Sequence, residues 1–466
     1  MSSPFALATS SLLVGSLALT CGLFVAVSTI QQTPYMDEIF HVPQAQRYCA
    51  RNFTYWDPKL TTLPGLYVAS IVVLEPVAAM LGTTPTPLCT TLSLRLHSLL
   101  FWIATLYLLY KIHSYLYGND RVAVILLGFF PLFYFYAFLY YTDVASTFFV
   151  LLTYLLALKG RNWSSAFVGA LAVTCRQTNI IWVGFSLAVA VLRDAEVVAE
   201  KKQKDDKKSD FDFLIAMATA TITGLRRVFW FALPYGIVVY LFAIFLYWNG
   251  GIVVGDRTSH VASFHLMQML YFYVFVLAMG LPHFVNPSNL RTSIGRILRL
   301  GIRLILLIPL IVSVLFLIIK NYTIIHPYLR DDNRHFTFYI WRKFFAQNRL
   351  MKYAWIPVYP IAALLLHVRA NEEQVGAKSR VGALLWQLGF LLCTALCIVP
   401  QRLVEFRYFV VPYMLLRLHL GRSSFGAILW VEFLLYVVVN AIVFSLFLFR
   451  PFVWAHEPEQ LQRFMW

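Results

Sequence analysis

The feature that most constrains this chain is a series of apolar runs, each close to the length of a membrane-spanning helix. Such a helix needs about 20 mainly apolar residues to cross the hydrocarbon core of a bilayer. The first run, 6–29, is uncharged and lacks the cleavage pattern of a secretory signal peptide, so it is interpreted as a retained signal-anchor. The further runs are 92–112, 122–140, 144–158, 163–192, 225–248, 261–281, 304–320, 351–368, 383–399, 404–419 and 427–449.

The composition excludes the other broad classes of protein. Apolar residues make up 60% of the chain and charged residues 13%, which is too few charges to cover the surface of a soluble globule of 466 residues. Disordered and disulfide-scaffold chains have different compositions. The sequence therefore predicts an all-α polytopic membrane protein with about 12–13 transmembrane helices.

The distribution of charge predicts the topology. Lys and Arg outnumber Asp and Glu by 38 to 22, and basic residues of membrane proteins collect in cytoplasmic loops. The most hydrophilic stretch, 193–210, is predicted to be a cytoplasmic charged loop. The positive-inside rule is obeyed better if the apolar stretch 64–81 does not cross, which leaves 31–91 as a long non-cytoplasmic loop and places 321–350 on the same side. Since no basic tract is interleaved with aromatics on a soluble domain, nucleic-acid binding is not expected.

Two adjacent carboxylates follow the first run, in the segment PYMDEIFHVPQAQRYC, 34–49. Asp37 or Glu38 could act as a general base at the membrane surface if an acceptor hydroxyl came within hydrogen-bonding distance. Alternatively, both are simply acidic residues at the positive end of a helix over 37–49. The pattern is compatible with either role.

A third carboxylate and an intramembrane arginine are further candidates. Asp143, in YYTDVAS, is a candidate cap for the following helix and also a candidate second acid facing the first loop, and the two roles are compatible. Arg176, in TCRQTNIIW, interrupts a hydrophobic stretch of thirty residues, where polar groups are costly and usually have a partner or a task. A turn between two short spans at 176–179 is the simpler interpretation.

A glycine-rich loop, NGGIVVGDRTSHVASFH (249–265), contributes Arg257 as a substrate-binding candidate. Its two histidines, His260 and His265, are five residues apart and so do not share one helical face as in HExxH zinc motifs. No metal site is expected there.

The segment HPYLRDDNRHFTFYIWRKFF, 326–345, is basic although the predicted topology places it outside the cytoplasm. A basic loop on that side is better explained by an anion to be bound, and arginine recognises phosphate in bidentate geometry. Arg334, His335 and Arg342 are therefore candidate phosphate ligands. Arg407, in QRLVEFRYFVVPY, could serve the same purpose or form a structural ion pair.

Taken together, these motifs resemble one family. PYMDEIFHVPQAQRYC, TCRQTNIIW, HPYLRDDNRHFTFYIWRK and RLVEFRYFVVPY look like the dolichyl-phosphate-glucose-dependent alpha-1,2-glucosyltransferases of the endoplasmic reticulum, which have the GT-C architecture. The motifs are long and occur in the same order across nearly the whole chain. The resemblance implies a single transmembrane glycosyltransferase domain, 1–466, in the endoplasmic reticulum membrane with a lumenal active site.

The resemblance also implies a reaction. Glucose passes from dolichyl phosphate beta-glucose to the terminal glucose of a diglucosylated dolichyl-pyrophosphate oligosaccharide, with inversion at the anomeric carbon. This is the last step in assembling the precursor for N-glycosylation. Because the donor is a lipid phosphate and not a nucleotide sugar, no cofactor is expected and a divalent metal ion is not obligatory. Substrates and membrane lipid are the implied partners, and the question of protein partners is left open.

The resemblance places a catalytic acidic residue at Asp37, which we take as the base, with Glu38 as the second candidate. Asp143, Arg176 and Arg257 complete the substrate-binding candidates. The phosphate ligands named above come from the charge argument alone and not from the family.

Two alternatives remain open on the sequence. Another dolichyl-phosphate-sugar transferase, such as a mannosyltransferase, would need the same base and phosphate ligands. A channel-associated or transporter-like membrane protein without catalysis would carry polar residues for other reasons, although transporters tend to have inverted repeats and none is evident here.

Overall fold

The computed structural model of the protein describes residues 4–118, 122–202, 209–257, 261–373, 379–420 and 427–466. These ranges contain twenty-two α-helices, two short 3-10 helices (Val122–Phe129 and Phe406–Phe409) and one hairpin of strands β1 (Phe452–Trp454) and β2 (Glu457–Gln462). In chain order the α-helices are α1 (Pro4–Ile30), α2 (Glu38–Cys49), α3 (Gly65–Met80), α4 (Pro85–Leu88), α5 (Thr91–Tyr117), α6 (Pro131–Tyr136), α7 (Thr142–Leu158), α8 (Asn162–Cys175), α9 (Asn179–Lys202), α10 (Asp210–Thr223), α11 (Leu225–Asn249), α12 (Met267–Met279), α13 (Leu281–Phe284), α14 (Pro287–Leu300), α15 (Arg303–Tyr322), α16 (Pro327–Asp331), α17 (Phe336–Phe344), α18 (Met351–Ala354), α19 (Val358–Glu372), α20 (Arg380–Ile398), α21 (Val410–His419) and α22 (Ala427–Phe449).

The predicted all-α polytopic membrane fold is confirmed. Within the described ranges, seven helical segments are long and apolar enough to cross a bilayer, namely α1, α5, α11, α15, α18–α19, α20 and α22. Three shorter apolar helices, α3, α7 and α12, accompany them. The seven are fewer than the roughly 12–13 crossings expected, because several apolar runs form short or interrupted helices. The number of crossings stays a prediction.

The first long loop, 31–91, contains three helices, α2, α3 and α4. Helix α3 has 16 residues and at 1.5 Å per residue extends about 24 Å, less than the roughly 30 Å of a bilayer core.

A disulfide joins Cys49, at the end of α2, to Cys89, just before α5. This pairing was not predicted, and it ties both ends of the α2–α4 segment together.

Two segments predicted as loops are largely helical. In the charged stretch 193–210, α9 continues to Lys202, and Ser209 caps α10 by accepting a hydrogen bond from Asp212 N–H at 3.2 Å. Residues 203–208 lie outside the described ranges. In the basic segment 321–350, α15 extends to Tyr322, and α16 and α17 follow it.

The described helices pack as two compact units. Unit 1 consists of Met1–Gly128, Phe133–His260 and Ala377–Cys393. In unit 1, α7 packs against α5, α8 and α9, while α3 packs against α2 and α8. A buried cluster packs Val42 and Leu66 of the first loop against residues that include Tyr140. The fold thereby anchors the segment that carries the acidic pair.

Unit 2 consists of Phe129–Leu132, Val261–Gly376 and Thr394–Trp466. Helix α12 packs against α19, and α13 against α22. Arg417 and Glu432 form a buried bidentate ion pair, with Nε–Oε1 at 2.7 Å and Nη2–Oε2 at 2.5 Å, and His283 Nε2 lies 3.1 Å from the same carboxylate. Polar groups of apolar helices are thus paired inside the unit.

We expect Cys49→Ser to destabilise unit 1, because the disulfide closes a 40-residue separation, which is worth about 4 kcal/mol in the chain-entropy estimate. The measurement is thermal unfolding in detergent, combined with thiol alkylation before reduction. Cys21→Ser is the control, since Cys21 is an exposed free cysteine. Alkylation of Cys49 in the unreduced wild-type protein would contradict the pairing.

Candidate active site

Asp37 lies between α1 and α2, at the residue that precedes the first turn of α2. Its backbone N–H donates to the Tyr141 hydroxyl at 3.0 Å, and its side chain is partly exposed. The residue before it, Met36, has φ of +55°, a conformation that non-glycine residues seldom adopt and that often marks functional sites. Although Asp37 stands at the N-cap position of α2, its carboxylate makes no capping hydrogen bond to that helix. The helix expected over 37–49 is present, with Glu38 in its first turn, but the Asp37 side chain does not cap it.

Glu38, the second candidate base, is fully buried in an ion pair with Arg95 of α5. Arg95 Nε lies 2.9 Å from Glu38 Oε1, and Nη2 lies 2.6 Å from Oε2. The same carboxylate accepts hydrogen bonds from the backbone N–H of Tyr140 at 2.7 Å and of Tyr35 at 3.0 Å. Its oxygens are thus occupied and shielded, whereas Asp37 is the accessible member of the pair.

Aromatic side chains surround the acidic pair. The Tyr141 ring lies 5.1 Å from that of Tyr136 and 6.1 Å from that of His41. His41 Nδ1 in turn is 2.7 Å from the Tyr67 hydroxyl of α3. The dipeptide Tyr140–Tyr141 contacts both acidic residues, one through its backbone and the other through its side chain.

The structure brings Asp143 and Arg176 together. Arg176 Nη2 lies 3.1 Å from Asp143 Oδ1, and Arg176 Nε donates to Thr142 Oγ1 at 3.2 Å. Asp143 lies in the first turn of α7, whose N-cap residue is Tyr141, so the alternative role of Asp143 as a helix cap is wrong. The predicted break at 176–179 is confirmed, and Asn179 stabilises it by donating to Ser146 Oγ and Ala172 O, both at 2.7 Å.

Arg257 also belongs to unit 1, on an exposed loop after α11. Its guanidinium donates to the Asn249 side chain at 3.1 Å. The loop lies against the first loop, because Val254 N–H donates to Thr61 O at 3.3 Å and a Cβ on Gly255 would stand only 2.3 Å from Leu60 O. The loop is therefore fixed beside the segment that carries the acidic pair.

The glycine-rich sequence motif, 249–265, also contains two histidines. His260 lies outside the described residues, and His265 is buried at the start of α12. The described ranges contain no group of three His, Cys, Asp or Glu side chains that could hold a metal ion.

The remaining cationic candidates lie in unit 2, and most of them have protein partners. Arg334 pairs with Asp332, with Nε–Oδ1 at 2.9 Å and Nη2–Oδ2 at 2.8 Å, and its guanidinium lies over the Trp454 ring, 4.4 Å from the centroid. His335 Nδ1 lies 2.8 Å from Trp466 O. Arg407 pairs with Glu405, which is the structural alternative considered for it. Arg342 is exposed on α17.

Arg334 and His335 thus hold the C-terminal tail, 452–466, against the segment before α17. Burial alone would raise the pKa of Asp332, but hydrogen bonds from Arg334 and the charges of His335 and Arg334 outweigh it and lower that pKa. Because the pKa of Asp332 is lower in the folded protein than in the unfolded chain, the Asp332–Arg334 pair stabilises the folded state at pH values above the ordinary aspartate pKa. This stabilisation is lost as the pH falls through the depressed value.

Comparison with known proteins identifies the family. The model of the DIE2/ALG10 family matches residues 31–418. The chain belongs to this family. It is 37% identical to a human protein named Dol-P-Glc:Glc(2)Man(9)GlcNAc(2)-PP-Dol alpha-1,2-glucosyltransferase, over 96% of both chains. Proteins of the same name from Arabidopsis thaliana (34% identical, 95% of this chain and 96% of the relative) and Drosophila melanogaster (32%, 92% and 93%) are also similar. No solved structure matches the chain significantly.

The family membership confirms the resemblance stated from the motifs, yet the sequence reasoning missed several residues beside the acidic pair. Arg95, Tyr140 and Tyr141 were not singled out as its partners. For Arg95 a signal existed, because an arginine inside an apolar run usually has a buried partner. The tyrosines carried no such signal, since aromatic residues are common throughout the chain and most aromatics of membrane proteins serve packing or interfacial belts.

Arg334→Gln should loosen the C-terminal tail by about 2 kcal/mol, because it removes a charged hydrogen-bonded pair and a cation–π contact. Arg463 is buried in that tail and donates to Phe447 O at 2.8 Å. Trypsin should therefore cleave after Arg463 about 30-fold faster in the variant. Arg330→Gln, which breaks the exposed Arg330–Asp331 pair, is the matched control. Equal cleavage rates in wild type and Arg334→Gln would show that Arg334 does not hold the tail.

Proposed function

We propose that this protein transfers glucose from dolichyl phosphate beta-glucose to the terminal glucose of the diglucosylated dolichyl-pyrophosphate oligosaccharide, forming an alpha-1,2 linkage. The relatives' names support the donor and the acceptor. The observation that carries the mechanism is the placement of Asp37, whose carboxylate is partly exposed while its backbone is fixed to Tyr141 at 3.0 Å. The buried neighbour Glu38 offers no surface to a substrate.

The chemistry needs one base and one leaving group. Asp37 accepts the proton of the acceptor hydroxyl as the hydroxyl oxygen attacks the anomeric carbon of the donor glucose. The bond between that carbon and the phosphate oxygen breaks on the opposite face, and dolichyl phosphate leaves with the bonding electron pair. A beta donor therefore gives an alpha product. General base catalysis of this kind typically contributes 10²–10⁴-fold.

Asp143 and Arg176 are proposed to bind sugar hydroxyls of the acceptor. Their ion pair leaves the guanidinium side chain 19% exposed and the carboxylate 3% exposed. The arginine is thus the member that a substrate can reach, with the carboxylate orienting it. Arg257 is the second cation of unit 1 proposed to contact substrate, because its loop is fixed against the first loop.

The side of the membrane is also part of the proposal. Disulfides persist in oxidising compartments and are rare in the cytosol. The Cys49–Cys89 bridge lies in the loop that carries Asp37, which supports a lumenal location for this loop. A location in the endoplasmic reticulum follows from the pathway in which the named relatives act.

Asp37→Asn should lower kcat by about 100-fold or more, because an amide cannot accept the hydroxyl proton. The assay uses purified protein with dolichyl phosphate glucose and the diglucosylated lipid-linked acceptor, and the triglucosylated product is measured by chromatography of the released glycans. Glu75→Gln is the matched control, because Glu75 belongs to the same loop in an exposed pair with Arg51. Dolichyl phosphate mannose replaces the donor in a parallel reaction.

Full activity of Asp37→Asn would refute the assignment of the base. Transfer of mannose at the rate of glucose would favour the mannosyltransferase alternative. No transfer by the wild-type protein from either donor would favour a non-catalytic role.

Arg176→Gln should raise KM for the oligosaccharide acceptor about 10- to 100-fold, since a charged hydrogen bond is worth roughly 1.5–3 kcal/mol, and should leave KM for the donor nearly unchanged. Initial rates at varied acceptor concentration measure the effect. An unchanged acceptor KM would exclude the proposed contact.

A further inference from the structure

The buried pair Arg95–Glu38 requires an explanation beyond stability. Its side chains are 1% and 0% exposed, respectively. Removing two charges from water costs several kcal/mol per ion, and well-packed apolar residues often stabilise a protein as much as a buried pair does. A pair of this kind next to a proposed catalytic residue therefore points to a role in geometry.

Arg95 connects three parts of unit 1 through one guanidinium. Besides its two contacts with Glu38, it donates through Nη1 to Gln31 O and through Nη2 to Thr33 O at 3.1 Å. Gln31 and Thr33 follow the last residue of α1, Glu38 begins α2, and Arg95 itself belongs to α5. The chain that leads from the membrane into Asp37 is thus tied to α5 on both sides of that residue.

The contacts of Glu38 extend this restraint. Its carboxylate accepts from the backbone N–H groups of Tyr35 and Tyr140, while Asp37 N–H donates to the Tyr141 hydroxyl. The backbone N–H of Asp37 and the side chain of Glu38 are therefore both fixed to the segment that precedes α7. The left-handed conformation of Met36 is held between these anchored points. A conformation that costs free energy persists only where its surroundings over-determine it.

We propose that Arg95 and Glu38 are positioning residues that hold the Asp37 carboxylate in the orientation required for proton transfer. The inference rests on the proposed function, in which Asp37 is the base. Catalytic groups must be held within about 0.5 Å of the productive geometry, and a 1 Å displacement can cost about 100-fold in rate. Because neither residue contacts substrate, loss of the pair lowers kcat and leaves both KM values almost unchanged.

The decisive variant is the double substitution Arg95→Met with Glu38→Gln. Each single change would leave a buried charge without its partner and would destabilise the protein, whereas removing both charges avoids that penalty. The matched control is the double substitution Arg51→Gln with Glu75→Gln, which removes an exposed ion pair of the same loop. Formation of the Cys49–Cys89 disulfide reports on the fold of the loop in every variant.

The expected result is a kcat lowered about 30- to 100-fold with donor and acceptor KM within threefold of wild type, an intact disulfide, and an unaffected control. A kcat within threefold of wild type, while Asp37→Asn is inactive, overturns the positioning role and leaves the proposed function intact. If the double variant fails to form the disulfide, Arg95→Lys decides on the same kinetic readout, because it keeps the charge but cannot make all four contacts. Absence of transfer by the wild-type protein would refute the proposed function itself.

Discussion

The structure depends on one constraint: inside a bilayer or a dry helical core, a polar side chain must find its partner within the protein. Hydrocarbon offers no hydrogen bonds, and an unpaired charge there costs several kcal/mol. The described helices meet this constraint with arginine–carboxylate pairs, of which Arg95–Glu38 and Arg417–Glu432 are almost completely buried. Arg95–Glu38 joins α5 to the start of α2, and Arg417–Glu432 joins α21 to α22. Ion pairs that form because hydrocarbon cannot solvate charges therefore also fix the relative positions of the segments that they join.

The acidic pair illustrates how the environment separates two chemically similar groups. Asp37 and Glu38 are neighbours, yet the turn that begins α2 directs Glu38 into the core and leaves Asp37 partly exposed. A buried carboxylate that accepts four hydrogen bonds is shielded from substrate, while a partly exposed one can meet an acceptor hydroxyl. The sequence alone could not assign the roles, because both residue types are equally suited to either.

Local features of the sequence predicted much of the fold. The uncharged run at the N-terminus became α1, and the polar group at 176–179 became the break between α8 and α9. The resemblance of the motifs to the family was equally local. Long-range pairings were not predictable, because nothing near Cys49 indicates Cys89 and nothing near Arg334 indicates the tail. Helix length was also misjudged where apolar composition continued past a break, as in the run 261–281, of which α12 forms only Met267–Met279.

The difference between local sequence features and long-range contacts also applies to the cationic candidates. Arginine was expected at the leaving phosphate because its planar guanidinium can donate two parallel hydrogen bonds to an anion, but a carboxylate accepts such bonds equally well. Arg334 already pairs with Asp332, and its guanidinium lies over the Trp454 ring, so its charge is largely neutralised within unit 2. In unit 1, Arg95 is also committed, whereas Arg257 lies on an exposed loop and Arg176 is partly exposed. Burial and partnership, and not charge alone, therefore decide which arginines of such a protein can receive a substrate anion. By that criterion Arg257, which is exposed, and Arg176, whose side chain stays 19% exposed although it pairs with Asp143, are better placed in unit 1 than the buried Arg95 to contact a substrate.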